Sequence, residues 1–147
     1  MNEVYYKKMI EGQNIINQVS NPKKYIAFFD IDDTLLDTSG NIIIPMYNLY
    51  TKALQKDITI VIITARAGFS GNMKRTIDEL QSNNISYTLL YLRPPENTNQ
   101  NFKKFCRKNA IEITGLTPLF SVGDQPWDCF DFLNDSNIYS GYPLLLK

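Results

Sequence analysis

The hydrophobic and polar positions along the chain fall into short continuous apolar runs and longer stretches with helical spacing. An apolar run that ends in acidic or turn residues is typical of a strand buried on both faces of a sheet. Such strands, alternating with helices, predict right-handed βαβ units and a central parallel sheet. The predicted fold class is therefore α/β, a Rossmann-like three-layer α/β/α sandwich. The predicted strands are Tyr25–Phe29 and residues 58–63, 86–92, 119–122 and 137–139; the predicted helices are residues 4–19, 46–55, 75–82 and 99–109, with a turn at residues 38–41 and a short apolar run at residues 42–44.

Length and composition predict one compact domain over residues 1–147, with an N-terminal helix within residues 1–20 packed on its outside. The chain has 147 residues, 44% of them hydrophobic, and could bury roughly two-thirds of its unfolded surface. Its start lacks the apolar core of a signal peptide, and no later run approaches the ~18 apolar residues of a membrane span. A soluble, cytoplasmic protein without a membrane partner is therefore expected.

Charge and residue usage exclude several kinds of chemistry. Lysine plus arginine and aspartate plus glutamate number 15 each, so no overall field would draw the protein to nucleic acid. Cys106 and Cys129 lie far apart and outside any CxxC pair, so both are expected to be reduced core residues. The chain has no histidine, so any acid–base step must fall to carboxylates.

Acidic side chains follow two of the predicted strands. Asp30 and Asp32 follow the first strand, and Asp124 and Asp128 follow the strand at residues 119–122. Alternate residues of an extended chain share one face, so Asp30 and Asp32 are expected to point together. Residues four apart stack on one face of a helical turn, which predicts the same for Asp124 and Asp128. Because ligands bind beyond the carboxyl ends of parallel strands, all four carboxylates are expected at one site.

A cluster of carboxylates predicts a bound cation. Two like charges at ~4 Å repel by on the order of 4 kcal/mol at an effective dielectric of about 20, and a folded site offsets this with a cation or a retained proton. Oxygen ligands without histidine or cysteine favour Mg²⁺, which also binds substrate phosphate oxygens. The simpler alternative is that the acids only cap helices, Asp124 as an N-cap and Asp128 as a first-turn acid. The agreement of order, strand position and residue type favours a Mg²⁺-dependent phosphate site.

The residues of this site occur in the order of three known motifs. Asp30, Asp32 and Thr34 match DxDxT, Thr64 ends an apolar strand, and Gly123, Asp124 and Asp128 match GDxxxD. Through these motifs residues 25–130 resemble the haloacid dehalogenase-like (HAD) superfamily of phosphohydrolases. The segments DIDDTLLD, ITAR, FKKFCR and VGDQ look most like its acid-phosphatase branch.

The resemblance implies a role for each matched residue. Asp30 would be the nucleophile that forms an aspartyl phosphate, and Asp32 the acid that protonates the leaving oxygen and then the base for water. Thr64 would hydrogen-bond the transferring phosphoryl group, and Thr34 and Arg66 are assigned to the same phosphate. The implied metal ligands are Asp30, the backbone carbonyl of Asp32 and Asp124, with Asp128 either a ligand or a residue that orients the ligands.

The family also requires a lysine that neutralises the remaining phosphoryl charge. The buried face of the helix at residues 99–109 is expected to carry Phe102, Phe105 and Cys106. Lys103 lies about 60° from Cys106 around that helix and Lys104 about 100° from Phe105, so Lys103 is the better candidate, with Arg107 supporting the same charge. The alternative is that both lysines are solvated surface residues.

The chain leaves no room for the cap domains that the superfamily inserts between motifs. From Asp30 to Thr64 is 34 residues and from Thr64 to Lys103 is 39, and predicted elements fill both gaps. The resemblance therefore implies a capless HAD-like hydrolase with an open site for a small phosphorylated substrate. Candidate rim residues are Arg66, Phe69, Tyr91, Arg93 and Trp127.

Three other functions share parts of this pattern. A polynucleotide end phosphatase needs a basic, aromatic-lined groove, and Lys74, Arg75 and Arg93 are too few to indicate one. A receiver domain needs an acceptor aspartate after the third strand, where the chain has Leu-Tyr-Leu-Arg at residues 90–93. A non-catalytic binding or storage protein on the same fold would usually lack the first-motif aspartate, and Asp30 is present. The predicted function is a Mg²⁺-dependent phosphomonoester hydrolase.

Overall fold

The computed structural model describes residues 3–96, 102–131 and 138–147. Helices and strands alternate throughout these residues, which confirms the predicted α/β class. None of the described helices is both long and apolar enough to cross a lipid bilayer. The helices are α1 (Glu3–Gln18), α2 (Ile44–Gln55), α3 (Asn72–Ser82), α4 (Phe102–Thr114) and α5 (Pro126–Cys129), and the strands are β1 (Tyr25–Phe29), β2 (Thr59–Ala67), β3 (Leu89–Arg93), β4 (Thr117–Gly123) and β5 (Tyr142–Leu145).

The five strands form one parallel sheet in the order β3-β2-β1-β4-β5, as in a Rossmann-like fold. Central β1 pairs with both β2 and β4, so that Phe29 lies opposite Ile62 on one side and Val122 on the other. The strand order reverses between β1 and β4, and in such sheets ligands bind in the crevice at this switch point. Asp30 and Asp124, the first residues after β1 and β4, lie side by side there.

Helices cover both faces of the sheet. Alternate residues of β1 point to opposite faces, so they pack into two separate cores. Ala27 and Phe29 belong to one hydrophobic core, which is covered by α1 and α2. Ile26 and Phe28 belong to a second core, which is covered by Phe102 and other residues of α4. Burial on both faces explains why the sequence of β1 is continuously apolar.

Helix α1 packs against both α2 and β5. The approach to α2 is close at Gly12, where an added Cβ would lie 2.7 Å from a methyl carbon of Leu49. At the far end of the chain, the Tyr142 hydroxyl donates a 2.6 Å hydrogen bond to Glu11. These contacts fix the middle of α1.

The predicted fifth strand is wrong in position. Asn137 lies outside the described residues, and Ile138 and Tyr139 form a turn, whereas β5 is Tyr142–Leu145. Gly141 makes the connection, with φ +67 and its α-carbon so close to Leu119 that an added Cβ would lie 2.7 Å from the Leu119 carbonyl. Only glycine combines that conformation with that approach at low cost.

Other predicted boundaries also shift. β2 runs to Ala67, so Thr64 lies inside the strand rather than after it. The helix predicted at residues 46–55 begins two residues earlier, because Ile44 starts α2 with Pro45 in its first turn. Phe105 is 58% exposed, so its predicted place on the buried face of α4 is wrong. The buried residues of that helix are Phe102, Lys103, Arg107 and Ala110.

Candidate active site

The chain leaves β1 in a tight turn that places Asp30 at the switch point. The Asp30 N–H donates to the Val122 carbonyl at 3.0 Å, and the Ile31 carbonyl accepts the Thr34 N–H at 3.1 Å. Because the chain turns here, the alternation of an extended strand does not apply. Asp30 is buried, whereas the side chain of Asp32 is 51% exposed.

Asp30, Asp124 and Asp128 form an acidic cluster. Each contributes a carboxylate oxygen, and these atoms all lie within 4.8 Å of one another. Burial, followed by the negative charge of Asp30, raises the pKa of Asp124 to about 6 and the pKa of Asp128 to about 7. Without a divalent cation, the cluster therefore retains protons at a pH where isolated aspartates are ionised. The structure thus brings together three of the four predicted carboxylates.

Lys103 completes the cluster from α4. Its Nζ donates to Asp30 Oδ1 at 2.9 Å and also to Asp128 Oδ1, and only 2% of its side chain is exposed. Burial would lower the pKa of Lys103, but the charges of Asp30 and Asp128 outweigh it and raise that pKa. The ammonium group is therefore charged and offsets part of the repulsion among the acids. Lys104 instead places its Nζ 5.4 Å from the centre of the Phe105 ring.

The two carboxylate oxygens of Asp128 have separate partners. Oδ1 faces Lys103, and Oδ2 accepts the Gln125 N–H at 3.0 Å as part of the first turn of α5. The Asp128 side chain packs directly over Gly123, where any Cβ would collide with it. Asp128 is therefore the first-turn acid that the sequence also allowed, and this contact fixes the oxygen that faces the cluster, whereas the N-cap of α5 is Gln125 and the alternative that Asp124 caps the helix is wrong.

Arg107 lies one turn after Lys103 and is fully buried, and its observed hydrogen bonds go to α5 and the segment after it rather than to Asp30. It donates to Asp131 at 3.2 Å and to the backbone carbonyls of Trp127 at 3.1 Å and Phe130 at 3.0 Å. Burial lowers the pKa of Arg107, and the charge of Asp131 counters that effect. The observed contacts hold the segment after α5 against α4, and the predicted contact of Arg107 with phosphate stays a prediction.

Asp32 is held by Arg66 rather than by the acidic cluster. Arg66 Nε donates to Asp32 Oδ2 at 2.9 Å and Nη2 donates to Oδ1 at 2.7 Å. The remaining nitrogen, Nη1, lies 2.7 Å from Glu79 Oε1 on α3. The hydrogen bonds to Asp32 raise the pKa of Arg66, which stays a cation.

The two predicted threonines are both buried beside this turn. Thr34 Oγ1 donates to Asp30 Oδ2 at 3.3 Å, so it orients the carboxylate that already contacts Lys103. Thr64 Oγ1 accepts the Arg66 N–H at 3.1 Å and thereby fixes the end of β2 next to Arg66. Their predicted contacts with phosphate stay predictions.

Tyr5 of α1 reaches the site, which sequence reasoning missed. Its hydroxyl donates to the Asp33 carbonyl at 2.6 Å. Asp33 has φ +59, a left-handed conformation that costs energy for a residue other than glycine. Burial and the charges of Asp33, Asp124 and Asp30 raise the pKa of Tyr5, which places its hydroxyl in the field of the acidic cluster.

Other partners were also absent from the sequence prediction. Glu79 and Asp131 have no motif around them, and only the folded chain shows that they pair with Arg66 and Arg107. Among the candidate rim residues, Phe69 is exposed, Tyr91 donates to Asn109, and Arg93 donates to the Ala65 carbonyl. Cys106 and Cys129 are free thiols, and burial raises their pKa values to about 11 and about 12.

The donor set of the acidic cluster fits a hard divalent cation. Its ligands would be oxygens of Asp30, Asp124 and Asp128, without nitrogen or sulfur, which suits Mg²⁺, Ca²⁺ or Mn²⁺. A separation of 4.8 Å or less is about the distance between opposite ligands of one such ion. Charged Lys103 contacts two of these three acids, Asp30 and Asp128.

Comparison with known proteins adds no assignment. No protein-family model matches the chain, and no curated protein matches it either.

Proposed function

We propose that the protein is a Mg²⁺-dependent phosphomonoester hydrolase of the HAD type, without a cap domain, that acts through an aspartyl phosphate on Asp30. The observation that carries this proposal is the buried ammonium group of Lys103, which contacts Asp30 and Asp128 at the switch point of the sheet. Buried charges of this kind rarely improve stability over apolar side chains, and groups with perturbed pKa values in a cleft are typical of functional sites. In the proposed reaction Lys103 would neutralise part of the charge on the phosphoryl group.

The acidic cluster would provide the metal ligands of the proposed site. Asp30 and Asp124 would bind Mg²⁺ together with the backbone carbonyl of Asp32, and Asp128 would be a ligand or would orient the others. When bound, Mg²⁺ would neutralise charge on the phosphoryl oxygens of the substrate.

The proposed reaction has two displacements. In the first, a carboxylate oxygen of Asp30 bonds to phosphorus as the bond from phosphorus to the leaving oxygen breaks, and that oxygen takes a proton from Asp32. In the second, a water molecule loses a proton to Asp32 and attacks the same phosphorus. The aspartyl phosphate is then cleaved, which restores the Asp30 carboxylate and releases inorganic phosphate.

Lys103 and Thr34 favour the first displacement by fixing the nucleophile. Lys103 holds Asp30 Oδ1 and Thr34 holds Oδ2, so the carboxylate cannot rotate freely. Such preorganisation lowers the barrier because the reacting oxygen is already oriented before the substrate arrives. About half of the Asp32 side chain is exposed, which supports a site that is open to solvent and admits small phosphate esters.

A panel of phosphomonoesters tests this function. We expect the protein to hydrolyse a generic aryl phosphate and small phosphate esters only with Mg²⁺ or a similar hard divalent ion, and Asp30→Asn to abolish turnover. Asp33→Asn is the matched control, because Asp33 lies in the same turn and asparagine tolerates its left-handed conformation. Equal turnover in excess chelator, or wild-type rates in Asp30→Asn, would overturn the proposal.

A further inference from the structure

We infer that Glu79 on α3 is a positioning residue for the acid–base carboxylate of Asp32, and that it acts through Arg66. The inference rests on the proposed function, in which Asp32 transfers protons. It concerns a residue of α3 that is not part of the acidic cluster and has no sequence motif of its own.

The three side chains form one continuous connection. Two nitrogens of Arg66 hold both oxygens of Asp32, at 2.9 and 2.7 Å. The third nitrogen lies 2.7 Å from Glu79 Oε1 and 3.5 Å from Thr76 Oγ1. The contact with Glu79 is an ion pair, and the contact with Thr76 is a long hydrogen bond. Because the guanidinium group is rigid, holding Nη1 against α3 also restrains the two nitrogens that meet Asp32.

Asp32 needs such support because it is half exposed. An isolated ion pair at the surface is weak, since two long side chains must be ordered to form it. Glu79 is better fixed than Asp32: its side chain is 32% exposed, and an added Cβ at Gly40 would lie 2.9 Å from its Oε2. The loop after the β1 turn therefore covers Glu79, which in turn restrains Arg66.

The pairing with Arg66 leaves Asp32 able to act. Each carboxylate oxygen has a second lone pair beyond the one that Arg66 occupies, so a proton or a water molecule can still bind. Glu79 and Arg66 gain and lose no proton in the proposed reaction. Their contribution is the direction of the Asp32 oxygens, and small misplacements of a catalytic group cost large factors in rate.

The dependence of rate on the leaving group tests the inference. A poor leaving group, such as an alkyl alkoxide, needs a proton from Asp32, whereas 2,4-dinitrophenolate leaves without one. We expect Glu79→Gln to lower kcat for an alkyl phosphate by about 10-fold or more, against less than about 3-fold for 2,4-dinitrophenyl phosphate, with KM little changed. Asp32→Asn should show the same selectivity more strongly.

The matched control is Asp78→Asn on the same helix. Asp78 forms an exposed ion pair with Lys74 at 2.7 Å and contacts neither Arg66 nor Asp32 in the observed hydrogen bonds and ion pairs. In this variant kcat for the alkyl phosphate and for 2,4-dinitrophenyl phosphate should both stay at the wild-type value. Equal losses on the two substrates in Glu79→Gln would overturn the inference, because a purely structural role slows both alike.

A second measurement does not depend on activity. In thermal unfolding, the Tm losses of Glu79→Gln and Asp32→Asn should fail to add in the double variant, because both substitutions weaken the same connection through Arg66. Additive Tm losses would overturn the inference. Failure of the proposed function looks different: the wild-type protein would then hydrolyse neither ester, while the coupling between Glu79 and Asp32 could still be present.

Discussion

The ammonium group of Lys103 lies 2.9 Å from a carboxylate oxygen of Asp30, although 73 residues separate the two in the chain. The contact joins α4 to the end of β1 at the centre of the sheet. It neutralises part of a buried acidic cluster and also orients the proposed nucleophile. Stability and activity should therefore both depend on it.

Replacement of Lys103 by methionine keeps the apolar stem and removes the charge. Removing one partner of a buried ion pair typically costs about 3–5 kcal/mol, because the other charge is left uncompensated. We expect Lys103→Met to lower the Tm by roughly 10 °C and to reduce kcat by about 100-fold or more. Lys104→Met is the control, and similar losses there would contradict the assignment of Lys103.

The sequence predicted the parts of this site that follow from local patterns, but not those that depend on contacts between residues distant in the chain. The position of Asp30 after β1 followed from a continuous apolar run of five residues, and Lys103 followed from helical spacing. The same spacing placed Phe105 wrongly on the buried face. Hydrophobicity alone could not show that α4 buries Lys103 and Arg107 instead, since both depend on carboxylates that arrive from β1, α5 and the segment after α5.

Strand β5 shows a second limit of local patterns. Pro143 argues against a strand because proline lacks an N–H for pairing. β5 is an edge strand, so one of its sides has no partner strand and the missing donor is tolerated. Glu79 and Tyr5 were missed for a related reason, because each is identified only by a partner distant in the chain.

The raised pKa of Asp124 predicts how stability depends on pH in excess chelator. The pKa of Asp124 is about 6 in the folded protein, against an ordinary value of 3.8. The folded state therefore binds more protons than the unfolded state, so this contribution is full below about pH 4 and is lost as pH rises through 6. We expect this group to make the Tm fall between about pH 4 and about pH 6.

Two comparisons isolate the cause. Asp124→Asn should flatten this part of the pH profile, because an amide does not titrate. Mg²⁺ should raise the Tm most at the upper end of the range, where the ionised cluster binds it best. A wild-type Tm that rises with pH in chelator and is the same in Asp124→Asn would contradict the assigned pKa.

The hydroxyl of Tyr5 is predicted to stabilise the turn that carries Asp32 and Asp33. Tyr5→Phe removes one hydrogen bond to the Asp33 carbonyl and little else, so a loss of about 1 kcal/mol and a Tm decrease of roughly 3 °C are expected. Tyr6→Phe is the control, since Tyr6 lies on the exposed side of the same helix. Equal Tm values for Tyr5→Phe and the wild type would show that the turn does not need this bond.

Salt dependence separates a small-substrate phosphatase from a polynucleotide end phosphatase. With balanced charge, phosphorylated oligonucleotides should gain little in kcat/KM over nucleotides, and log affinity should change little with log salt. An enzyme that neutralises several phosphates of a single strand would show a slope of about −0.7 per phosphate. A steep slope with a large oligonucleotide preference would favour the end phosphatase.

The most direct test of the account is detection of a phosphoryl group on Asp30. The Asp32→Asn variant, which lacks the base for water, should be mixed with an aryl phosphate and Mg²⁺, quenched, reduced with borohydride and mapped by mass spectrometry. The account predicts conversion of residue 30 to homoserine, with none in Asp30→Asn or in excess chelator. Two results together would contradict the account: the wild type hydrolyses the aryl phosphate but residue 30 is never modified, and Asp30→Asn keeps the full rate of hydrolysis.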